Sequence, residues 1–506
     1  MMVAASDTVG ATLHQTLASC SKSIEAGDYS KSEESIAELV NFLNSISDSL
    51  VAGERGNEDP EKIAVEILTQ IHQYMASPTV KQEVIDALAF ELPKAVARFA
   101  CVSTKCLEIA EDLVHWFIEK CSPRDMLSIL CEAIGSPSEL FTVPGYFIPL
   151  LGGLMKVLVL IQRQHYQQVK SAIPVILNVL KTVCSMSDDE DTDHEKLFHK
   201  ATGIAYSIRS NLCKPGEDKK KLRALLGLYV LQIMALASFG ITSDILKCLS
   251  VVVELSDFLQ HCELSYVGLI TGCEVDTIYK LVVEDDSKDG MDCFSQAKLG
   301  AALAAAKANL PVVIMELQSN WARRCEAIGM LKYILSCANL PWELKQHGIR
   351  FLLRVMDGIV SYSYDDHAVE MVIMYAPDSA LRKDAFSAFK KVLADIPTSV
   401  RFDVLSALIM NSDSSSMVLS ALNLYRFILI TESSGNSNST GILSKDKLQK
   451  AYNEWLLPLR TLVTGTMAES QKDYENLACD TICALNPVEL VLYRCIELVE
   501  EKLKQY

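Results

Sequence analysis

Lys31 to Ser47 reads KSEESIAELVNFLNSIS. Its apolar residues Ile36, Leu39, Val40, Leu43 and Ile46 recur every three or four positions, which gathers them on one face of an α-helix. The same period returns near the other end with Phe386, Phe389, Leu393 and Ile396, then after Pro397 with Phe402, Leu405 and Ile409. Leu492, Ile496, Val499 and Leu503 repeat it in the last segment. Nearly every segment follows this spacing, and none of any length alternates as a strand does. The chain is therefore expected to be all-α.

The breaks between periodic segments carry helix-start chemistry. Ser77-Pro78, Ser122-Pro123 and Asn486-Pro487 each place a capping side chain before a proline that the first helical turn tolerates. Asn486 and Glu489 also have capping-box spacing. Such breaks divide the chain into roughly twenty helices joined by short turns, the layout of a helical-repeat protein. The repeats share little sequence, and the periodic small, aromatic and proline positions of tetratricopeptide repeats are missing. A HEAT/armadillo-like helical-repeat solenoid fits better.

Polar stretches at Val51 to Pro60, Ser185 to Asp193 and Ser433 to Ser444 read as surface loops. The acidic stretch Glu284 to Asp292 is the expected linker between an N-terminal array over 1–283 and a C-terminal array over 293–506.

At 506 residues and 50% hydrophobic content the chain can bury an extended core. Its 64 Asp and Glu against 47 Lys and Arg give a net charge of −17, which would repel a nucleic-acid backbone unless basic groups were segregated on one face. The one dense basic cluster, Lys219, Lys220, Lys221 and Arg223, stands beside Glu217 and Asp218 at an apparent helix start and reads as a solvated turn. No nucleic-acid partner is expected. Most of the sixteen cysteines, Cys20, Cys131, Cys248, Cys337 and Cys495 among them, sit in apolar helical stretches and read as reduced core residues. No basic-then-apolar leader opens the chain, so the expected location is nucleus and/or cytoplasm. Phe147 to Ile161, interrupted by Lys156, and Ala224 to Ile241, which carries Gln232 and Ser238, read as inner solenoid helices rather than membrane spans.

Several arrangements approach a chemical motif and miss it. His194 and His199 are five residues apart, about 140° around a helix, and cannot grip one zinc ion from one face. Asp189, Asp191 and Asp193 begin like a calcium loop, but His194 stands where the glycine belongs and Lys200 where the final glutamate belongs. Cys101 with Cys106, and Cys479 with Cys483, lack zinc-ribbon spacing. No phosphate-binding loop, nucleophile elbow or dinucleotide fingerprint occurs. Neither cofactor, metal nor enzymatic activity is expected. Ser185 and Ser187 precede acidic residues as acidophilic kinase sites do.

From residue 375 onward a series of strings occurs in order: Tyr375-Ala376-Pro377-Asp378, Val392-Leu393-Ala394-Asp395-Ile396-Pro397, Arg401-Phe402-Asp403-Val404-Leu405 and Leu422-Asn423-Leu424-Tyr425-Arg426-Phe427. Two more follow, running from Ala451 to Arg460 and from Asn486 to Cys495. With Glu25-Ala26-Gly27-Asp28 and the run Leu264 to Gly272 upstream, they resemble the glomulin family over nearly the whole chain. That resemblance implies HEAT-like repeats whose C-terminal array clasps the RING domain of the RING-box subunit of a cullin-RING (SCF) ubiquitin ligase. The clasp covers the face on which the ubiquitin-conjugating enzyme docks, and in plants the family is tied to lateral root initiation and hormone responses. Competition of this kind needs area and hot-spot residues rather than a reactive group. By residue type the candidates for partner contact are Tyr425, Arg426, Tyr452, Trp455 and Arg460. Plant members carry a further segment between Met417 and Val418 and a shorter one before Val369, where this chain runs straight through. The competing reading is a helical-repeat scaffold or adaptor that does not inhibit a ligase.

Overall fold

A computed structural model describes residues 3–52, 59–136, 143–161, 163–186, 193–212, 218–240, 245–283, 292–357, 415–434, 441–470 and 477–506, with isolated positions between 378 and 391 and Asn438. Among these residues there is helix and turn and no strand. The described residues form an all-α array of packed helices. It divides into two compact units, Met1–Ala304 and Ala305–Tyr506.

The first unit begins with α1 (Val3–Glu25), α2 (Tyr29–Val51), α3 (Pro60–Met75), α4 (Gln82–Leu88), α5 (Leu92–Phe99), α6 (Thr104–Lys120) and α7 (Pro123–Gly135). It continues through α8 (Pro144–Leu160), α9 (His165–Met186), α10 (Asp193–Leu212), α11 (Lys219–Gly240), α12 (Ile245–His261), α13 (Tyr266–Thr271) and α14 (Cys273–Val283). The unit ends inside α15 (Ala297–Ala308), and Glu284–Met291 of the expected linker lie outside the described residues.

Local chemistry sets many of these starts. Asp28 caps α2 by accepting from the Lys31 amide at 3.3 Å, Asp59 caps α3 ahead of Pro60, and Ser103 caps α6 by accepting from the Cys106 amide at 3.2 Å. Pro123 opens α7 as expected, although the Ser122 side chain makes no capping bond. Two expected starts are corrected. Ser77-Pro78 lies in a turn, and the next helix begins at Gln82. Asn486-Pro487 lies within a continuous helix, where the proline removes one backbone donor without ending the run. Packing over-rides that local signal because Val488, Val491, Leu492 and Cys495 are buried just beyond it. The apolar residues expected on a helix face at Phe386, Phe389, Leu393 and Ile396, and after Pro397 at Phe402, Leu405 and Ile409, lie outside the described residues.

Two helices form the heart of this unit. α8 packs against α6, α7 and α10, and Gly153 lets Val114 and Leu130 approach its backbone. α11 is surrounded by α9, α10, α12 and α14. By length and apolarity alone α11 could cross a membrane, but 89% of its apolar window is buried inside the protein, which accounts for the composition. α15 comes so close to α11 that a Cβ on Gly300 would collide with the Leu231 carbonyl. Arg98, buried on α5, donates to Asp48 at 2.5 Å and to the Ser47 hydroxyl at 3.1 Å, tying α5 to α2. Burial pushes the thiols of Cys131 and Cys184 up to about 12, so they pack as unreactive hydrophobes.

The second unit contains α16 (Pro311–Ser319), α17 (Trp321–Leu335), α18 (Trp342–Met356), α19 (Ser415–Ser434), α20 (Lys445–Ala451), a π-helical turn (Tyr452–Leu456), α21 (Leu457–Ser470) and α22 (Leu477–Leu503). α16 to α18 complete one another's ends. Arg324 donates to the carbonyls of Leu317 and Gln318, Gln318 donates to those of Arg354 and Asp357, and Arg354 donates to that of Asn309. Helix-end carbonyls that would otherwise lack donors are thereby satisfied by side chains of neighbouring helices. α19 runs without a break through Met417-Val418, and the chain before Val369 lies outside the described residues.

Candidate interaction surface

α22 packs against α19 on one side and against α21 and the π-helical turn on the other. In α19 the buried residues Ala421, Leu422, Tyr425, Ile428 and Leu429 form the inward stripe, and the Cys495 thiol of α22 donates to the Leu422 carbonyl at 3.4 Å. The π-helical turn, a local widening that inserts a residue into the helical register, carries Trp455 into the same interior. Tyr425 and Trp455 meet edge to face with ring centres 5.6 Å apart. They are 0% and 1% exposed. Their expected partner-contacting role is therefore corrected: these two aromatics are a core joint between α19 and the π turn.

The other three candidates stand nearer the surface. Tyr452 is half-buried and its hydroxyl donates to Glu500 at 2.7 Å; that hydrogen bond, with burial, raises the phenol above its ordinary pKa. Arg460 is exposed and lies 5.1 Å above the Tyr493 ring, joining α21 to α22 by a cation–π contact. Arg426 is half-buried at the edge of α19.

The most exposed apolar groups here were not among the candidates. Phe427 and Ile430 project from α19, Leu462 from α21 at 65% exposure and Leu490 from α22 at 74%. Phe427 and Ile430 follow Arg426 on the side of α19 away from Tyr425. The signal that could have found them is displacement from the buried stripe, since Phe427 is two residues from Tyr425 and about 200° around the helix. On α22, Leu490, Arg494 and Glu497 form one outward row, with Arg494 and Glu497 paired at 2.7 Å. The unit thus presents apolar groups interleaved with arginines, the residue mixture that anchors protein interfaces.

No group of three or more His, Cys, Asp or Glu side chains among the described residues is placed to hold a metal ion. His194 is buried on α10, whereas His199 is half-exposed 3.8 Å from Glu195.

Comparison with known proteins supplies the lineage. A family described as uncharacterised, YAP/Alf4/glomulin, matches residues 19–204. Aberrant root formation protein 4 of Arabidopsis thaliana is 41% identical over 98% of this chain and 93% of its own length. The 586 aligned residues exceed the 506 of this chain, so that relative carries inserted sequence. Among solved structures, the karyopherin Kap121p bound to the extreme C-terminus of the phosphatase Cdc14p is 12% identical over 98% of this chain and 51% of its own, with a TM-score of 0.25. Importin beta in an ammonium sulfate condition is 11% identical over 97% and 68%, with a TM-score of 0.23. Scores this low carry no weight for fold or function. The sequence relationship does: the chain belongs to the YAP/Alf4/glomulin family.

Proposed function

We propose that this protein is a non-enzymatic regulator of root formation that binds the RING-box subunit of a cullin-RING ubiquitin ligase through its C-terminal unit and excludes the ubiquitin-conjugating enzyme. Relatedness to a protein named for aberrant root formation supports the biological setting, and nucleus and/or cytoplasm is where such a ligase would be met. The observation that carries the mechanism is the outward set of Arg426, Phe427, Ile430, Arg460, Leu462 and Leu490 in the second unit. An inhibitor by occupancy needs such anchors and no reactive group.

Competition imposes a kinetic signature. The purified chain should slow ubiquitin-chain synthesis in proportion to occupancy of the cullin and RING-box pair, and excess conjugating enzyme should restore the rate. Phe427→Ala combined with Leu490→Ser should weaken binding to the RING-box subunit by about tenfold or more, the scale of a lost interface anchor. A folded chain that binds no RING-box subunit at micromolar concentration would exclude this mechanism and favour the scaffold reading.

A further inference from the structure

A second surface, wholly within the first unit, gathers positive charge in a chain that is strongly negative. Tyr166 at the start of α9 is its hub: the Lys170 ammonium of α9 lies 5.8 Å from the centre of its ring and the Lys221 ammonium of α11 5.9 Å. The first turns of α9 and α11 are therefore neighbours. Each helix N-terminus contributes a partial positive charge of about half a unit. Neither first turn contains an acidic residue to offset it, and α11 instead opens with Lys219, Lys220 and Lys221. Arg163, exposed just before α9, adds another cation. Arg163, Lys219 and Lys220 have no carboxylate partner among the described residues, while Arg223 pairs with Glu263 at 2.5 Å. Asp218, exposed, stands immediately before α11.

Lysines on a helix's first turn oppose its dipole, so this arrangement costs the fold stability. Departures from local preference of this kind concentrate at functional sites. Apolar groups border the patch. The Leu158 carbonyl accepts from Asn211 Nδ2 at 2.8 Å and lies 3.1 Å from His165 Nε2, which ties the end of α8 to α9 and α10. Val159 and Leu160 follow it and are exposed.

We propose that this joint docks an acidic segment of a partner protein, a run of aspartates or glutamates preceded by aliphatic residues. The carboxylates would meet Arg163, Lys219, Lys220 and Lys221, and the aliphatic residues would cover Val159 and Leu160. Range selects a short peptide over larger polyanions. Screening in about 8 Å at physiological salt confines attraction to these few cations, whereas duplex nucleic acid or an anionic bilayer extends onto a surface belonging to a chain of net charge −17. The proposal does not involve the RING-facing groups of the second unit, so the two readings stand or fall separately.

The test is fluorescence anisotropy of the full chain with a labelled peptide of two leucines followed by a run of glutamates. Phosphatidylserine-containing phosphatidylcholine vesicles and duplex DNA serve as competing probes. The peptide should bind, and binding should weaken as salt is added. Arg163→Glu with Lys220→Glu should weaken it about tenfold, whereas Lys62→Glu with Lys105→Glu, the same change in net charge at exposed positions on α3 and α6, should leave it within about twofold. The first pair should also leave the thermal midpoint unchanged or raised, because glutamate suits a helix N-terminus. Equal weakening by both pairs would show general electrostatics and overturn the proposal. So would absence of peptide binding at low salt, or binding of vesicles or DNA in its place.

Discussion

From Ala224 onward α11 of the first unit carries no charged residue and α21 of the second carries only Arg460 and Glu469, and the two packings give that composition opposite meanings. From Ala224 to Ser238 α11 is buried without interruption, with the Gln232 side chain satisfied by the Gln296 amide at 3.0 Å. α21 buries only Val463 among its described side chains and exposes Arg460, Thr461, Leu462 and Thr464. In a repeat array an inner helix is apolar because neighbours surround it, whereas a helix at the edge stays apolar on its outer face only where solubility has not selected against it. The low charge of α11 reports a core; that of α21 marks a surface suited to a partner.

Four measurements can break or sharpen this contrast. The largest effect is expected away from both helices, at the aromatic joint. Trp455→Ala should destabilise the second unit by about 3–5 kcal/mol in urea melts followed by circular dichroism, because Tyr425 loses its packing partner and a large cavity opens. If the loss were below about 1 kcal/mol, the joint would not hold α19 to the π turn. Next, Gly300→Ala should cost about 3 kcal/mol, since even a methyl group meets the Leu231 backbone and α11 has no free side on which to move. An unchanged denaturation midpoint would show that the α11–α15 contact is looser than it stands here.

Acid should act more gently, and on the first unit. Burial holds the His115 imidazole below its ordinary pKa, reinforced by Lys156 and Lys200 and opposed by Glu111. A histidine that resists protonation in the folded state loses stability as pH falls. The loss begins near its unfolded value of about 6.5 and continues down to the lowered folded value. The wild-type melting temperature should therefore drop more steeply below that point than that of His115→Gln; parallel profiles would assign the acid sensitivity elsewhere. The smallest effect belongs to α21. Leu462→Ser should shift stability by less than about 0.5 kcal/mol, as an exposed side chain makes little packing, and a loss above about 2 kcal/mol would show that α21 is not an edge helix.

Of the contact candidates named by residue type, Arg426, Tyr452 and Arg460 reach the surface fully or in part, while Tyr425 and Trp455 do not. Tyrosine, tryptophan and arginine favour interfaces, but large aromatics also make the best core joints, and composition cannot separate the two roles. Phe427 and Ile430 were overlooked for the complementary reason. An apolar run such as Phe427 to Ile430 spans most of the circumference of a helix, and only the position of the neighbouring helix decides which residues turn inward. Pro487 shows the same limit, since a local stop signal yields when the helix around it is buried.

The helical class, the helix start at Pro123 and the family relationship could all be read from the sequence, because period, helix-start chemistry and ordered strings depend on residues close together in the chain. Which apolar groups are core, and how Lys170 and Lys221 come to meet at the Tyr166 ring, were decided by tertiary structure alone. Burial and clustered charge depend on contacts between helices distant in sequence, and the residues between α9 and α11 give no local sign of that encounter.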